Sequence, residues 1–288
     1  MMDSRHDTTE LSSSFDAVHI VEPSLNHSHT AIMLHGRGSN GPEFADELSE
    51  TVLPGHKNLI QKFPSWRWVF LSSKTLWSSA FEESLPAWFE AHSLTSIEER
   101  QDLQMDGIRD AVGYIQSIVD QEVERLGGNH EKLVLAGISQ GGAIGMWELL
   151  CQQNLDVRFG AFVGASTWLP FAKIIESLLV RDGDPAGRDQ TETESVNFVK
   201  EMMSAWGRYH ATAHDSTKLL STPIFLGHGT DDATVGVELG RHARRVLSKI
   251  GFQVEWKEYL GAELEGHWLK VPEEVDDIAN FLATVTAQ

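Results

Sequence analysis

Leu135-Ala136-Gly137-Ile138-Ser139-Gln140-Gly141 sets the pattern G-x-S-x-G between an apolar run and a helical pattern. Before it, Lys132 to Ile138 reads as a short, β-rich strand buried on both faces. After it, Gly142 to Gln153 has helix-forming composition. The serine therefore stands on a sharp strand-to-helix turn, flanked by Gly137 and Gly141 because side chains there would meet crowded backbone. Such a turn lifts the hydroxyl off the sheet, and the helix N-terminus beneath it favours developing negative charge. Ser139 is the candidate nucleophile. The bare pattern is weak, and the strand before it and the helix after it are what give it content.

Outward from this turn the chain alternates strand and helix. Phe15–Val21, Thr30–His35, Arg67–Leu71, Arg158–Val163, Pro223–Gly227 and Gln253–Tyr259 read as further strands. Helices are expected over Glu43–Leu53, Gln104–Leu126, Val237–Ile250 and Pro272–Thr284. The longest shows Ile108, Val112, Ile115, Val119 and Val123 at three- and four-residue steps, one apolar stripe on an amphipathic helix. Pro272 suits a first helical turn, with Glu273 and Glu274 where the dipole favours acids. Repeated strand–helix units predict an α/β fold: a mostly parallel sheet of seven strands with helices on both faces. Ligands then bind outside the carboxyl ends of the strands. Residues 173–220 break the rhythm with a polar Gly/Pro loop and an apolar helical stretch over Val196–Trp206. This block is expected to be an insertion on the sheet and a candidate lid within a single domain spanning residues 15–288.

At 288 residues the chain can build a substantial core, and a hydrophobic content of 41% is that of a soluble globular protein. Met1–Ser14 is polar and mixed in charge, without the apolar core of a secretory signal, and is read as a disordered tail. The single cysteine, Cys151, excludes an intramolecular disulfide and fits a reducing, cytoplasmic setting. A formal charge of −19 argues against a nucleic-acid partner and against docking on anionic lipid. No apolar run is long enough for integral membrane association. Oligomeric state leaves no mark in the sequence.

A serine hydroxyl needs a base to take its proton, and the base needs a third group to orient it. Acid candidates follow the Pro223–Gly227 strand in His228-Gly229-Thr230-Asp231-Asp232-Ala233-Thr234-Val235, where Asp231 and Asp232 compete. Two histidines come later: His242, well inside a helix, and His267, on the loop before the last helix. The loop position makes His267 the candidate base. An oxyanion hole is expected where the Thr30–His35 strand runs into His35-Gly36-Arg37-Gly38-Ser39-Asn40-Gly41, with the N–H of Arg37 as one donor and that of Gln140 as the other. That loop lacks the G-K-[ST] ending of a P-loop and the G-x-G-x-x-G spacing of a dinucleotide site. His27, His29 and His35 lie close in sequence, yet no H-E-x-x-H accompanies them, so neither metal nor cofactor is expected. Trp88 and Phe89, after Pro86, are the aromatic pair expected nearest a ligand.

With these residues in place, the chain resembles the phospholipase/carboxylesterase family of α/β-hydrolases, which includes acyl-protein thioesterases. The resemblance rests on L-H-G-R-G-S-N-G at Leu34–Gly41, A-W-F-E at Ala87–Glu90, G-I-S-Q-G-G-A at Gly137–Ala143, H-G-T-D-D-A-T-V at His228–Val235, and G-H at Gly266–His267. It implies an α/β-hydrolase fold lacking the first strand of the full sheet. It also implies Asp232 rather than Asp231 as the acid, and hydrolysis of small-molecule or lipid esters or thioesters. Two departures accompany it. Acyl-protein thioesterases typically carry an apolar residue where Arg37 stands, and the 93 positions from Ser139 to Asp232 exceed the spacing of small members of the family. The expected activity is a carboxylesterase working through an acyl-enzyme, with an acyl-protein thioesterase as the alternative within the class. A non-catalytic ligand-binding protein on the same scaffold is the alternative from another class.

Overall fold

A computed structural model describes residues 14–53, 55, 57–93, 95–181, 193–206 and 217–287. The expected tail, Met1–Ser14, lies outside these residues except at its last position. The strands are β1 (His19–Val21), β2 (His29–Leu34), β3 (Trp66–Leu71), β4 (Lys74–Ser78), β5 (Glu83–Ala87), β6 (Leu133–Ile138), β7 (Ala161–Ala165), β8 (Ile224–Gly229) and β9 (Val254–Tyr259). Seven of them form one sheet in the order β1-β3-β2-β6-β7-β8-β9, with only β1 antiparallel to its neighbour. The helices are α1 (Gly41–Glu50), α2 (Leu59–Lys62), α3 (Met105–Arg125), α4 (Gln140–Leu150), α5 (Ala172–Arg181), α6 (Glu194–Met202), α7 (Val237–Ile250) and α8 (Glu273–Thr286).

Strand periodicity divides the core into two layers. In β2, Ile32 and Leu34 face one layer, which α3, α4, α5 and α7 cover; Ala31 and Met33 face the other, covered by α1, α2 and α8. Such double coverage explains why β2, β3 and β6 read as nearly unbroken apolar runs. The registers Leu34↔Gly137, Ile138↔Ala165 and Ala165↔Gly227 bring the carboxyl ends of β2, β6, β7 and β8 to one edge. Chain order reverses about β2 and β6, so the crevice expected to hold a ligand opens there.

Two local expectations change. The first strand is shorter than Phe15–Val21, because Phe15 leaves the sheet to stack on Tyr114 of α3 at 4.0 Å between ring centroids. Just before Trp88, β4 and β5 form a separate two-stranded antiparallel sheet that the strand–helix pattern does not predict. Pro86 is tolerated there because a two-stranded sheet leaves half of its N–H groups unpaired. The insertion is described in part: residues 182–192 and 207–216 lie outside the described ones, and Val196, Phe198 and Val199 of α6 are buried. Phe198 of α6 lies 5.4 Å from Trp147 and 5.0 Å from Phe171, and Arg109 of α3 pairs with Glu201. These contacts join α6 to α3, to α4 and to Phe171 just before α5. Among the described residues no helix is long and apolar enough to cross a membrane.

Candidate active site

Ser139 joins β6 to α4 with φ 53° and ψ −123°, a conformation that side chains strongly disfavour. The surroundings enforce it. Ser139 N–H donates to the Ala165 carbonyl at 2.9 Å, and Thr167 Oγ1 donates to the Ser139 carbonyl at 2.7 Å. Gly141 is sterically required, because a Cβ there would overlap the backbone of Leu34 and His35. Every residue of α4 is buried, so the turn is braced from below as well as from the sides.

His267 Nε2 stands 3.0 Å from Ser139 Oγ, and His267 Nδ1 stands 2.8 Å from Asp232 Oδ2. Asp232 also accepts at Oδ1 from the N–H groups of Thr234 (2.9 Å) and Val235 (2.8 Å). Burial alone would raise its pKa. Hydrogen bonds from His228, His267 and the Val235 N–H outweigh that effect and hold it well below the usual carboxylate range. An ionised carboxylate only accepts, so His267 carries its proton on Nδ1 and turns the Nε2 lone pair to the serine.

The two competing aspartates separate cleanly. Asp232 is buried on His267, whereas Asp231 is exposed and accepts from Gly261 N–H at 3.0 Å, tying the chain after β9 to the chain after β8. His242 bonds Glu176 at 3.0 Å, away from the serine. His267 itself follows three residues at positive φ: Leu264 (52°), Glu265 (55°) and Gly266 (86°). Only glycine fits the last position, since a Cβ on it would lie 2.7 Å from Asp231 and Asp232 backbone atoms.

On the opposite side of Ser139, the loop after β2 comes so close that a Cβ on Gly36 would lie 3.4 Å from that of the serine. The N–H of Arg37 meets no acceptor among the described residues, and Gln140 N–H, first in α4, has no intrahelical partner. Two free donors on adjacent loops are what an oxyanion requires. The Gln140 side chain locks this arrangement: Oε1 accepts from Trp88 N–H at 2.9 Å and Nε2 donates to the Phe89 carbonyl at 2.7 Å. Trp88 Nε1 in turn donates to the His35 carbonyl at 2.9 Å. Trp88 and Phe89, expected on the pocket wall, are 2% and 0% exposed. They anchor the loop after β2 and the Gln140 side chain.

Three contributors escaped the reading of the sequence. His228, fully buried, lies with Nε2 2.7 Å from the Val235 carbonyl and 3.4 Å from Asp232 Oδ2. It is the second imidazole on the same carboxylate. Thr167 holds the serine's carbonyl. Below the base, Glu274 Oε2 accepts from Lys270 N–H at 2.9 Å, and burial pushes its pKa up to about 8. His228 opens the motif His228–Val235, but a base follows the acid in chain order, so its position before Asp232 points away from that role.

The phospholipase/carboxylesterase family model matches residues 16–182, a span that includes Arg37, Trp88 and Ser139 and ends before Asp232. Acyl-protein thioesterase 1 of Gibberella zeae is 26% identical over 261 residues, 89% of this chain and 90% of that protein. The probable carboxylesterase SOBER1-like of Arabidopsis thaliana is 26% identical over 231 residues, 80% of this chain and 70% of its own length. Among solved structures, Zea mays acyl-protein thioesterase 2 superposes with a TM-score of 0.65 at 23% identity, covering 94% of this chain and 99% of that one. That likeness bears on the fold.

Proposed function

The chain belongs to the phospholipase/carboxylesterase family, whose model matches more than half of it, and from that premise we propose that it is a serine hydrolase of carboxylic esters. The observation that carries the reading is the continuous relay Ser139 Oγ–His267 Nε2 at 3.0 Å and His267 Nδ1–Asp232 Oδ2 at 2.8 Å. As the Ser139 oxygen attacks the acyl carbonyl, its proton passes to His267 Nε2, and the imidazolium is stabilised by Asp232. Charge on the former carbonyl oxygen is met by the N–H groups of Arg37 and Gln140. Collapse of the tetrahedral species expels the alcohol, which takes the proton from His267. Water, deprotonated by the same nitrogen, then attacks the acyl-serine and frees the acid and the serine. Strain at Ser139 favours this role, since a positive φ held by buried elements keeps the hydroxyl aimed at the crevice.

Thioesters are the second reading, favoured by relatives that carry the name acyl-protein thioesterase. The same steps serve a thiol leaving group.

The test is a phosphonate probe together with Ser139→Ala. Wild-type protein should hydrolyse a short 4-nitrophenyl ester and take up one probe molecule on Ser139, and the variant should lose activity by several orders of magnitude. Probe on another residue, or a variant of near-normal rate, overturns the reading. Parallel rates on oxygen esters and thioesters of matched chain length decide between the two leaving groups.

A further inference from the structure

Arg37 is a partly buried cation that no acid meets among the described residues. Among the described residues, every other arginine that is not openly exposed lies against a carboxylate. Arg67 meets Glu22 and Glu122, Arg109 meets Asp106 and Glu201, Arg158 meets Glu131, and Arg241 meets Glu238 and Glu258. Arg37 is partly buried as well, yet among the described residues its one side-chain hydrogen bond runs from Nη1 to the Ala91 carbonyl at 3.1 Å. One face of the guanidinium covers the ring of Phe81, 4.8 Å from its centroid. Burial pushes its pKa down. In a chain with 42 acidic and 23 basic residues, a desolvated cation left without an acid is unexpected.

What remains free on Arg37 is informative. Nε and Nη2 form the edge of the guanidinium that binds a planar carboxylate through two parallel hydrogen bonds, and neither has a partner among the described residues. This edge starts from the residue whose backbone N–H faces the oxyanion position, so it lies within one side chain's length of the reacting carbonyl. Phe81, 56% exposed, holds the group in place from the solvent side.

We propose that Arg37 is a specificity-determining residue that binds a free carboxylate on the substrate, so that the preferred substrates are esters bearing a second, unesterified acid group a few bonds from the scissile carbonyl. This rests on the ester-hydrolase reading. Half-esters of short dicarboxylic acids are the simplest members of the class. The guanidinium draws in the anion, and the same loop then presents its N–H to the oxyanion, coupling recognition to reaction through adjacent atoms.

The test compares monoethyl glutarate with ethyl pentanoate by titrating released acid at pH 8, for wild type, Arg37→Gln and Arg37→Lys. Wild type should favour the half-ester in kcat/KM. Arg37→Gln should lower the ratio of half-ester to neutral ester by about tenfold or more, whatever it does to either rate alone, and Arg37→Lys should restore part of it. A second measurement needs no turnover: glutarate should raise the melting temperature of the wild type more than butyrate does, and the difference should vanish in Arg37→Gln. If both esters are cleaved with one ratio in all three proteins and glutarate gives no selective shift, the proposal is wrong. If neither ester is cleaved while glutarate still protects through Arg37, the anion site stands and the hydrolase reading is the one that fails.

Discussion

Ser139 stands between β6 and α4, two elements without a single exposed residue, whereas His267 stands on the connection between β9 and α8, among residues that are mostly half-buried or exposed. The serine is held by shape: backbone packed on backbone, with glycine where nothing larger fits. The histidine is held by separate polar ties, Asp231 to Gly261, Ala233 N–H to the Glu265 carbonyl, and Lys270 N–H to Glu274. One half of the site is therefore a property of the core, and the other of a small hydrogen-bond network. Damage to the first should be read in stability, and damage to the second in rate.

The largest effect expected on the polar side comes from Asp232→Asn, which should lower kcat by about 10³–10⁴-fold with the fold intact, because the amide favours the wrong imidazole tautomer. Asp231→Asn should change kcat only a few-fold. The reverse order in steady-state kinetics would break the assignment of the two acids. On the packed side, Gly141→Ala should cost at least about 3 kcal/mol in urea denaturation, since its methyl group overlaps the backbone of Leu34. A folded Gly141→Ala protein with poor kcat would blur the distinction between the two halves.

His228→Leu sharpens the comparison at smaller scale. It removes the Nε2–H that meets Val235 and Asp232 and should lower kcat roughly tenfold, about 1.4 kcal/mol, with KM little changed. A fall confined to stability would make His228 a packing residue only.

A last effect concerns pH and lies outside the site. Burial within α4 raises the pKa of Glu148 from an ordinary 4.5 to about 8, so the native protein keeps this acid neutral. The unfolded chain ionises it above about 4.5 and binds fewer protons than the native state across the window from there to 8. Stability contributed by this group therefore falls as pH rises through the window, by at most about 1.4 kcal/mol per unit. Glu148→Gln should flatten the melting temperature against pH over that range while kcat stays the same. An unchanged profile would show that the acid ionises in place.

The packed half was legible because its determinants are local. An apolar run, two glycines and a helix-forming stretch placed Ser139 on its turn, and Val237–Ile250 matched α7 at both ends. The β4–β5 sheet was missed for the opposite reason. Its turn at Ser79–Glu82 contains no glycine, asparagine or proline, Glu82 takes φ 54° unaided, and Pro86 argues against a strand. The inward turn of Trp88 depends on a hydrogen bond to His35, 53 positions away, which no spacing rule encodes. Likewise Asp231 and Asp232 differ in nothing but which of them β8 leaves facing the core.

The burial of α4 on every face bears on how this enzyme can diversify. A helix with no solvent-facing position has no neutral sites, so changes near the nucleophile demand compensation elsewhere in the core. Variation that alters substrate choice must accumulate where side chains still border water. Trp77 and Phe81 are 51% and 56% exposed and lie on or beside the two-stranded sheet that backs Arg37. A mutational library confined to Lys74–Glu83 should therefore yield folded proteins with new preferences far more often than one of equal size spread over α4.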